Sequence, residues 1–151
     1  MANNYLITSS QLNFEEGQKD RAQEIVDRVT KEIEKSEDIY GDPVEFTQVD
    51  VDVEDNGVWF HHDEYVDLDH MEMIARALVE ELEIDEPFFA SWSYSCSKLR
   101  LDEFGGGAMC IKRGRPTIWI DAMQYVHKEL ERQESMDKAI EEWRRRTGTK
   151  G

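Results

Sequence analysis

The stretch from His61 to His70 is where residues able to bind a metal ion or transfer a proton are most concentrated. It contains three histidines and four carboxylates, namely His61, His62, His70, Asp63, Glu64, Asp67 and Asp69. Adjacent histidines on a strand point to opposite faces, and the stretch lacks the i, i+4 histidine pair of a helical zinc site. A metal-dependent enzyme is therefore only our third prediction, and we predict no catalytic residue, no bound metal and no cofactor.

A second candidate site surrounds three consecutive glycines that follow a charged turn. Glycines let a ligand or another backbone approach closely, and cationic side chains beside them could bind an anion. The run lacks both the Gly-Lys-Ser/Thr sequence of a phosphate loop and a following helix. The alternative prediction is a module that binds or sequesters a small ligand, a nucleotide or an anion, at this glycine turn. Its ligand-binding residues would be Lys98, Arg100, Glu103, Gly105, Gly106 and Gly107.

Negative charge is the strongest feature of the composition, and it is concentrated in the first half of the chain. The 151 residues include 34 acidic and 18 basic ones, a net charge of −16. Residues 1–86 have 25 acidic and 6 basic residues, or −19, whereas residues 87–151 have 9 and 12, or +3. Because such charge repels phosphate backbones, we predict that the acidic half does not bind nucleic acid directly. It suits a partner protein with a basic surface, or it only keeps the chain in solution.

The acidic residues predicted to contact a partner lie on a hairpin and just after it. Alternate residues of a strand lie about 7 Å apart on one face, so they form a row of carboxylates. A protein that normally holds DNA or RNA presents a positive groove that such a row could occupy. The predicted partner-binding residues are Asp50, Asp52, Glu54, Asp55, Asp63 and Glu64.

Residues 96–108 resemble the signature of a protein family. They read C-S-K-L-R-L-D-E-F-G-G-G-A, and the signature is close to C-S-K-x-R-x-x-E-F-G-G-G-A. The family is an uncharacterised one of small acidic proteins from bacteria, plasmids and phages, and the similarity covers roughly residues 59–119. The resemblance implies a phage or mobile-element protein and implies no catalytic activity.

Charge and resemblance together predict a non-enzymatic interaction protein. We expect it to bind a host protein that handles nucleic acid or acts in defence, and to inhibit or modulate it, with mimicry of DNA as one way to do so. The sequence has neither an apolar run of about 18 residues nor a basic N-terminal region followed by an apolar one. We therefore expect a cytoplasmic protein outside the membrane, in which Cys96 and Cys110 are reduced thiols.

Three amphipathic helices are predicted from apolar residues that recur at helical spacing. Their expected ranges are Phe14 to Glu37, Asp69 to Glu83, and a long last helix that follows Asp121 and ends in the run Arg144 to Arg146. This last helix is either continuous or has a break near Gln133 to Ser135. Three pairs of residues could cap their first turns, namely Asn13 with Glu16, Asp69 with Glu72, and Asp121 with Gln124. Cations suit the last turn of a helix, where unpaired carbonyls carry partial negative charge.

Alternation of apolar and polar residues predicts the strands. Their expected ranges are Val44 to Glu54 with a bulge or a change of face near Thr47 or Gln48, Val58 to His61, Phe88 to Cys96, Ala108 to Lys112, and Pro116 to Ile120. The short apolar run from Tyr5 to Ile7 is either an edge strand or an unattached arm. Asn56 and Gly57 are expected to form a two-residue hairpin turn. Phe88 to Cys96 should have one buried aromatic face and one face of mostly serine.

The order helix, hairpin, helix, meander, helix predicts an α+β fold. We expect a single domain, residues 1–151, in which an antiparallel sheet of about four to five strands carries its helices mainly on one face. The last helix has apolar residues at Met123, Val126, Leu130, Ile140 and Trp143, so it could also build a homodimer.

Overall fold

Six strands and three helices make up the part of the chain that the computed structural model describes, which is residues 3–36, 40–42, 44, 47–99 and 104–148. In chain order they are β1 (Asn4–Asn13), α1 (Lys19–Glu34), β2 (Asp50–Glu54), β3 (Gly57–His62), α2 (Leu68–Glu81), β4 (Phe88–Cys96), β5 (Gly105–Ile111), β6 (Ile118–Asp121) and α3 (Ala122–Thr147). The sheet order is β2-β3-β1-β4-β5-β6, and every neighbouring pair is antiparallel. The predicted α+β class is confirmed, with six strands instead of four to five.

The strand that the sequence did not specify is β1, which lies in the middle of the sheet between β3 and β4. The expectation of an edge strand or a free arm was wrong because two buried positions of β1, Thr8 and Ser10, are polar and hide the alternation. The Thr8 hydroxyl donates to the carbonyl oxygen of Ser91 at 2.6 Å. Burial of this polar group is therefore compensated by a hydrogen bond.

The sheet has one face covered by helices and one that we call the open face. α1 packs against α2 and β2, and α2 packs against β5. On the covered face, paired residues such as Thr8 and Trp92 are buried, whereas their strand neighbours Ser9, Ser91 and Ser93 are exposed. The pleat thus sends alternate side chains into the core and onto the open face, and the predicted serine face of β4 is confirmed.

The apolar stripe predicted for α1 is confirmed, but its predicted start is wrong. The stripe is buried at Ala22, Ile25, Val26, Val29 and Ile33. The helix begins only at Lys19, its N-cap Gln18 makes no side-chain capping bond, and Gly17 has a φ of 92°. Phe14 is itself buried before the helix. A helical start at Phe14 with an Asn13–Glu16 capping box is therefore excluded.

The other two helices differ in how well their caps were predicted. α2 is capped by Asp67, whose carboxylate accepts from the backbone N–H of His70 at 3.0 Å, and not by Asp69. Asp121 caps α3 as expected, accepting from the N–H groups of Met123 and Gln124. The helix continues without a break through the arginine run.

The β2–β3 hairpin is confirmed, although its turn and its first strand differ from the prediction. Because Glu54 pairs with Gly57, the two turn residues are Asp55 and Asn56. Gly57 lies inside β3, where a Cβ would be 2.4 Å from Gln11 Nε2 and 2.6 Å from the Leu12 carbonyl oxygen. Glycine is needed there for close approach of β1.

β2 itself covers only the last part of the strand predicted from Val44. It begins at Asp50, so Thr47 and Gln48 precede the strand and cannot mark a change of face within it. Pro43, Glu45 and Phe46 lie outside the described residues.

The three glycines lie inside β5 and do not form a turn. Gly105, Gly106 and Gly107 pair with Tyr94, Ser93 and Trp92 in the β4–β5 ladder. A Cβ on Gly107 would be 2.3 Å from the Ile120 carbonyl oxygen and 2.7 Å from the Trp92 ring. Gly107 therefore lets the Trp92 indole and β6 approach the β5 backbone, and the predicted glycine turn was wrong.

The connection between β5 and β6 is bound to α2, which fixes where β6 and the start of α3 lie. Arg76 on α2 donates to the Lys112 carbonyl oxygen at 2.9 Å and to the Thr117 hydroxyl at 2.7 Å. Glu80 on the same helix accepts from the Gly114 N–H at 2.8 Å.

The two cysteines are too far apart to form a disulfide with each other. Cys96 and Cys110 are free thiols; Cys110 pairs with Phe89, seven residues along β4 from Cys96, which is far beyond disulfide reach. None of the helices in the described ranges is both long and apolar enough to cross a membrane.

Candidate functional site

Four of the six predicted partner-binding residues form one row, which we call the acidic edge: Asp50, Asp52, Glu54 and Asp55. β2 is an edge strand of the sheet. Asp50, Asp52 and Glu54 alternate along it and are exposed, and Asp55 follows in the turn. The side chains of Asp50, Asp52 and Asp55 are 61%, 59% and 86% exposed. The row therefore faces water, where a partner can reach it.

The other two predicted residues, Asp63 and Glu64, are exposed in the segment after β3. Asp50 pairs with His61, so this segment lies beyond the Asp50 end of the acidic edge. The Glu64 carbonyl oxygen accepts from the Leu6 N–H at 2.7 Å, which attaches the segment to β1. Both carboxylates extend the negative surface without belonging to the row on β2.

Two aromatic rings of β3 lie beside the acidic edge on the open face. His61 Nε2 is 2.6 Å from Asp52 Oδ2, and His61 Nδ1 is 3.9 Å from Asp50 Oδ2. Trp59 stacks on His61 with ring centroids 3.7 Å apart, and its indole N–H donates to Ser9 Oγ at 2.9 Å. The site thus combines carboxylates with a partly exposed indole, a surface that suits a guanidinium group.

Trp59 was not among the predicted site residues. The signal that could have identified it is the hairpin register, since a two-residue turn at Asp55 and Asn56 places Trp59 directly opposite Asp52. Cross-strand neighbours on one face have their Cβ atoms about 5 Å apart.

Acidic residues on α1 and α2 are paired with lysine or arginine more often than those of the acidic edge. Arg28 binds both carboxylate oxygens of Glu81, and Arg21 lies 3.3 Å from the same group. The hydrogen bond from Arg28 is the main reason that the pKa of Glu81 is lowered. In the acidic edge, by contrast, Lys19 lies 3.3 Å from Asp55, and no described lysine or arginine pairs with Asp50, Asp52 or Glu54.

The predicted ligand site is only partly assembled. A cavity of about 480 Å³ lies beside the start of β5 and is lined by Tyr5, Tyr65, Tyr94, Phe104, Gly105 and Met123. Of the predicted ligand-binding residues, Gly105 borders this cavity; Gly106 and Gly107 belong to the β4–β5 ladder, and Lys98 is exposed before the loop. Arg100 and Glu103 lie outside the described residues. The tyrosines were missed because they come from three separate segments of the chain.

The three histidines of the first candidate site do not come together. His61 lies on the open face, His62 Nδ1 accepts from the Glu64 N–H at 3.1 Å, and His70 Nε2 is 3.6 Å from its helix cap Asp67. In the described ranges, no three histidine, cysteine, aspartate or glutamate side chains form a group that could hold a metal ion.

Comparison of the chain with protein-family models, with curated proteins and with solved structures returns no match. The resemblance of residues 96–108 to a phage and plasmid family therefore stays a prediction.

Proposed function

We propose that this protein is a non-enzymatic interaction protein that binds a basic surface of another protein through its acidic edge. The observation that supports this most is that Asp50, Asp52 and Glu54 stand exposed in a row on an edge strand without a described lysine or arginine partner. Carboxylates that no lysine or arginine neutralises attract a positively charged surface and accelerate its association.

The chemistry of the site favours an arginine-rich partner. A guanidinium group can bind a carboxylate through two hydrogen bonds and also stack on an aromatic ring. Trp59 and Asp52 face each other across the hairpin and offer both contacts. Because arginine-rich grooves commonly hold nucleic acid, we propose a host nucleic-acid-handling or defence protein as the partner, which the chain would inhibit by occupying that groove. A cytoplasmic location and a phage or mobile-element origin belong to the same proposal.

The acidic edge also has a structural role that must be separated from binding. Charged side chains on an edge strand discourage its pairing with another sheet. Removing them could therefore change self-association without any partner being involved.

The test compares the wild-type protein with two variants of equal charge as baits in extracts of the host. The edge variant carries Asp50→Asn, Asp52→Asn, Glu54→Gln and Asp55→Asn. The control variant neutralises four exposed acids on or before α1, with Glu16→Gln, Asp20→Asn, Asp27→Asn and Glu34→Gln. Each raises the net charge by the same amount, so a difference between them reports the position of the charge. Quantitative mass spectrometry measures what each bait captures, and light scattering measures the oligomeric state.

We expect the wild-type and control baits to capture the same basic, nucleic-acid-binding protein and the edge variant to lose it. Added duplex DNA should compete, because the proposed partner uses the same groove for both ligands. Equal capture by all three baits, or capture of partners that are not basic, would contradict the proposal.

A second proposal concerns the cavity beside Gly105, because its aromatic lining suits a flat ring such as a nucleobase. A ligand at 100 times its dissociation constant adds about 2.7 kcal/mol to stability, which raises the melting temperature of a chain of this size by roughly 5–10 °C. We expect a thermal-shift screen of nucleotides and nucleotide-derived signalling metabolites to produce such a rise. Tyr65→Ala should abolish it, and Phe89→Ala, which removes an exposed ring outside the cavity, should not. Absence of any shift in the wild-type protein would remove this proposal.

A further inference from the structure

The last helix has no place in the core of its own chain. α3 spans 26 residues without a buried one, and its main contacts are with β5 and β6. Ten of the eighteen exposed large hydrophobic residues in the described ranges lie between Ile118 and Trp143, each 43–62% exposed. Isolated helices are only marginally stable in water, and most helices in proteins depend on packing of their apolar face. Another surface must therefore cover α3.

Six of the seven exposed apolar residues of α3, all except Tyr125, have a symmetric spacing. Met123, Val126, Leu130, Met136, Ile140 and Trp143 are placed around Gln133 with gaps of 3, 4, 3, 3, 4 and 3 residues. Two copies that pair antiparallel about a two-fold axis at Gln133 therefore bring Met123 opposite Trp143, Val126 opposite Ile140 and Leu130 opposite Met136. In such an isologous interface each copy contributes the same patch, and the two Gln133 amides can hydrogen-bond to each other.

Charge favours the antiparallel arrangement over a parallel one. A parallel pair would place Arg144, Arg145 and Arg146 of both copies side by side. An antiparallel pair instead brings each arginine run close to the body of the other copy. That body, residues 1–121, has 28 acidic and 11 basic residues, or −17, whereas residues 122–151 have 6 and 7, or +1. The basic end of one helix thus approaches a body of opposite net charge.

The exposed apolar area of α3 is close to the area that a standard interface buries. The seven exposed apolar residues of α3 are Met123, Tyr125, Val126, Leu130, Met136, Ile140 and Trp143. At roughly 100 Å² each they amount to about 700 Å² per copy, compared with about 800 Å² per partner in a standard interface.

From these observations we infer that the occupant of α3 is a second copy of this chain, with the two helices antiparallel about Gln133. The pair leaves the acidic edge free, because β2 and β6 are opposite edges of the sheet. The dimer therefore presents two acidic edges, and the inference does not depend on what they bind.

The first test measures the mass by sedimentation at a chain concentration of roughly 50 µM. This concentration exceeds the micromolar dissociation constants of the weakest complexes with an interface of this area. We expect twice the 17.7 kDa of one chain.

Val126→Glu and Ile140→Lys should each give the single-chain mass, because each places a charge opposite an apolar residue. The double variant should recover the dimer, because the carboxylate introduced in one copy would then face the ammonium group introduced in the other. Lys128→Glu, on the opposite side of the helix from the stripe, should remain dimeric. Circular dichroism checks that each variant is folded.

The second test determines the direction of the helices by disulfide formation, with Cys96 and Cys110 replaced by serine. In the antiparallel pair a cysteine at position 133 meets its own copy, whereas two cysteines at position 126 lie about 21 Å apart along the axis. We expect Gln133→Cys to crosslink on oxidation and Val126→Cys not to. A single-chain mass for the wild-type protein, a folded double variant that stays monomeric, or efficient crosslinking at position 126 would overturn the inference.

Discussion

Substitution of Gly107 by alanine tests why three glycines occur together in this chain. A Cβ there would be 2.3 Å from the Ile120 carbonyl oxygen and 2.7 Å from the Trp92 ring. Both distances are far below van der Waals contact, and the first involves backbone that cannot rotate away. Overpacking of this kind costs about 1–3 kcal/mol. Gly107→Ala should therefore destabilise the protein by that amount.

Gly105→Ala is the matched control, two residues away on the same strand. Its Cβ would approach nothing closer than 3.4 Å, the distance to Tyr94 Cδ2, which is ordinary contact. Alanine restricts the unfolded chain, so a compatible substitution stabilises by about 0.4–1 kcal/mol. The two variants should consequently differ by about 1.4–4 kcal/mol, or roughly 3–16 °C in melting temperature.

Urea denaturation followed by tryptophan fluorescence measures this difference. Trp92 and Trp119, whose ring centroids are 6.0 Å apart, report the region directly. Equal stability of the two variants would refute the close approach of Trp92 and β6 to Gly107. If the glycines served only to bind a ligand, the two variants would be equally stable in the absence of that ligand.

Two further predictions concern polar groups that hold the layers together. The pKa of Glu81 is lowered, chiefly by its hydrogen bond from Arg28, so this interaction stabilises the fold above the usual carboxyl pKa and is lost as the pH falls through the lowered value. The difference in unfolding free energy between wild type and Glu81→Gln should thus be largest near neutral pH and should disappear in acid. A difference that stays constant with pH would contradict this role of the Arg28–Glu81 hydrogen bond. Thr8→Val should cost about 1 kcal/mol in urea denaturation because the bond to the Ser91 carbonyl is lost, whereas Ser93→Ala on the open face should stay within about 0.5 kcal/mol; equal effects would show that the Thr8 bond contributes nothing.

Elements with a strong period were predictable from the sequence. The buried stripe of α1 and the alternation of β4 each follow one period without interruption, so their identity and buried face could be derived. β1 was not predicted because Thr8 and Ser10 occupy core positions. The buried Thr8 hydroxyl is satisfied by a tertiary hydrogen bond to Ser91, and Ser10 Oγ lies 3.4 Å from Thr8 Oγ1. The glycines of β5 were assigned to a turn because their conformational freedom is visible in sequence, whereas the ring of Trp92 that requires them is a tertiary contact.

The candidate sites divide in the same way. Spacing along β2 predicted the row of Asp50, Asp52 and Glu54, but Trp59 joins it only through cross-strand register. The cavity beside Gly105 combines residues from β1, the β3–α2 connection, β4 and α3, which no local pattern connects. The apolar stripe of α3 was visible, but an amphipathic pattern states that a face is covered without stating what covers it.

Hydrogen exchange of the complex with the captured partner tests the central claim most directly, because it separates the three candidate surfaces in one measurement. If the acidic edge is the binding surface, exchange should slow in peptides that cover residues 50–55 and 59–61 when the partner binds. The loop after β4 and the helix α3 should be unaffected by the partner. Slowing confined to α3 or to residues near the Gly105 cavity, with no change at β2, would contradict the account.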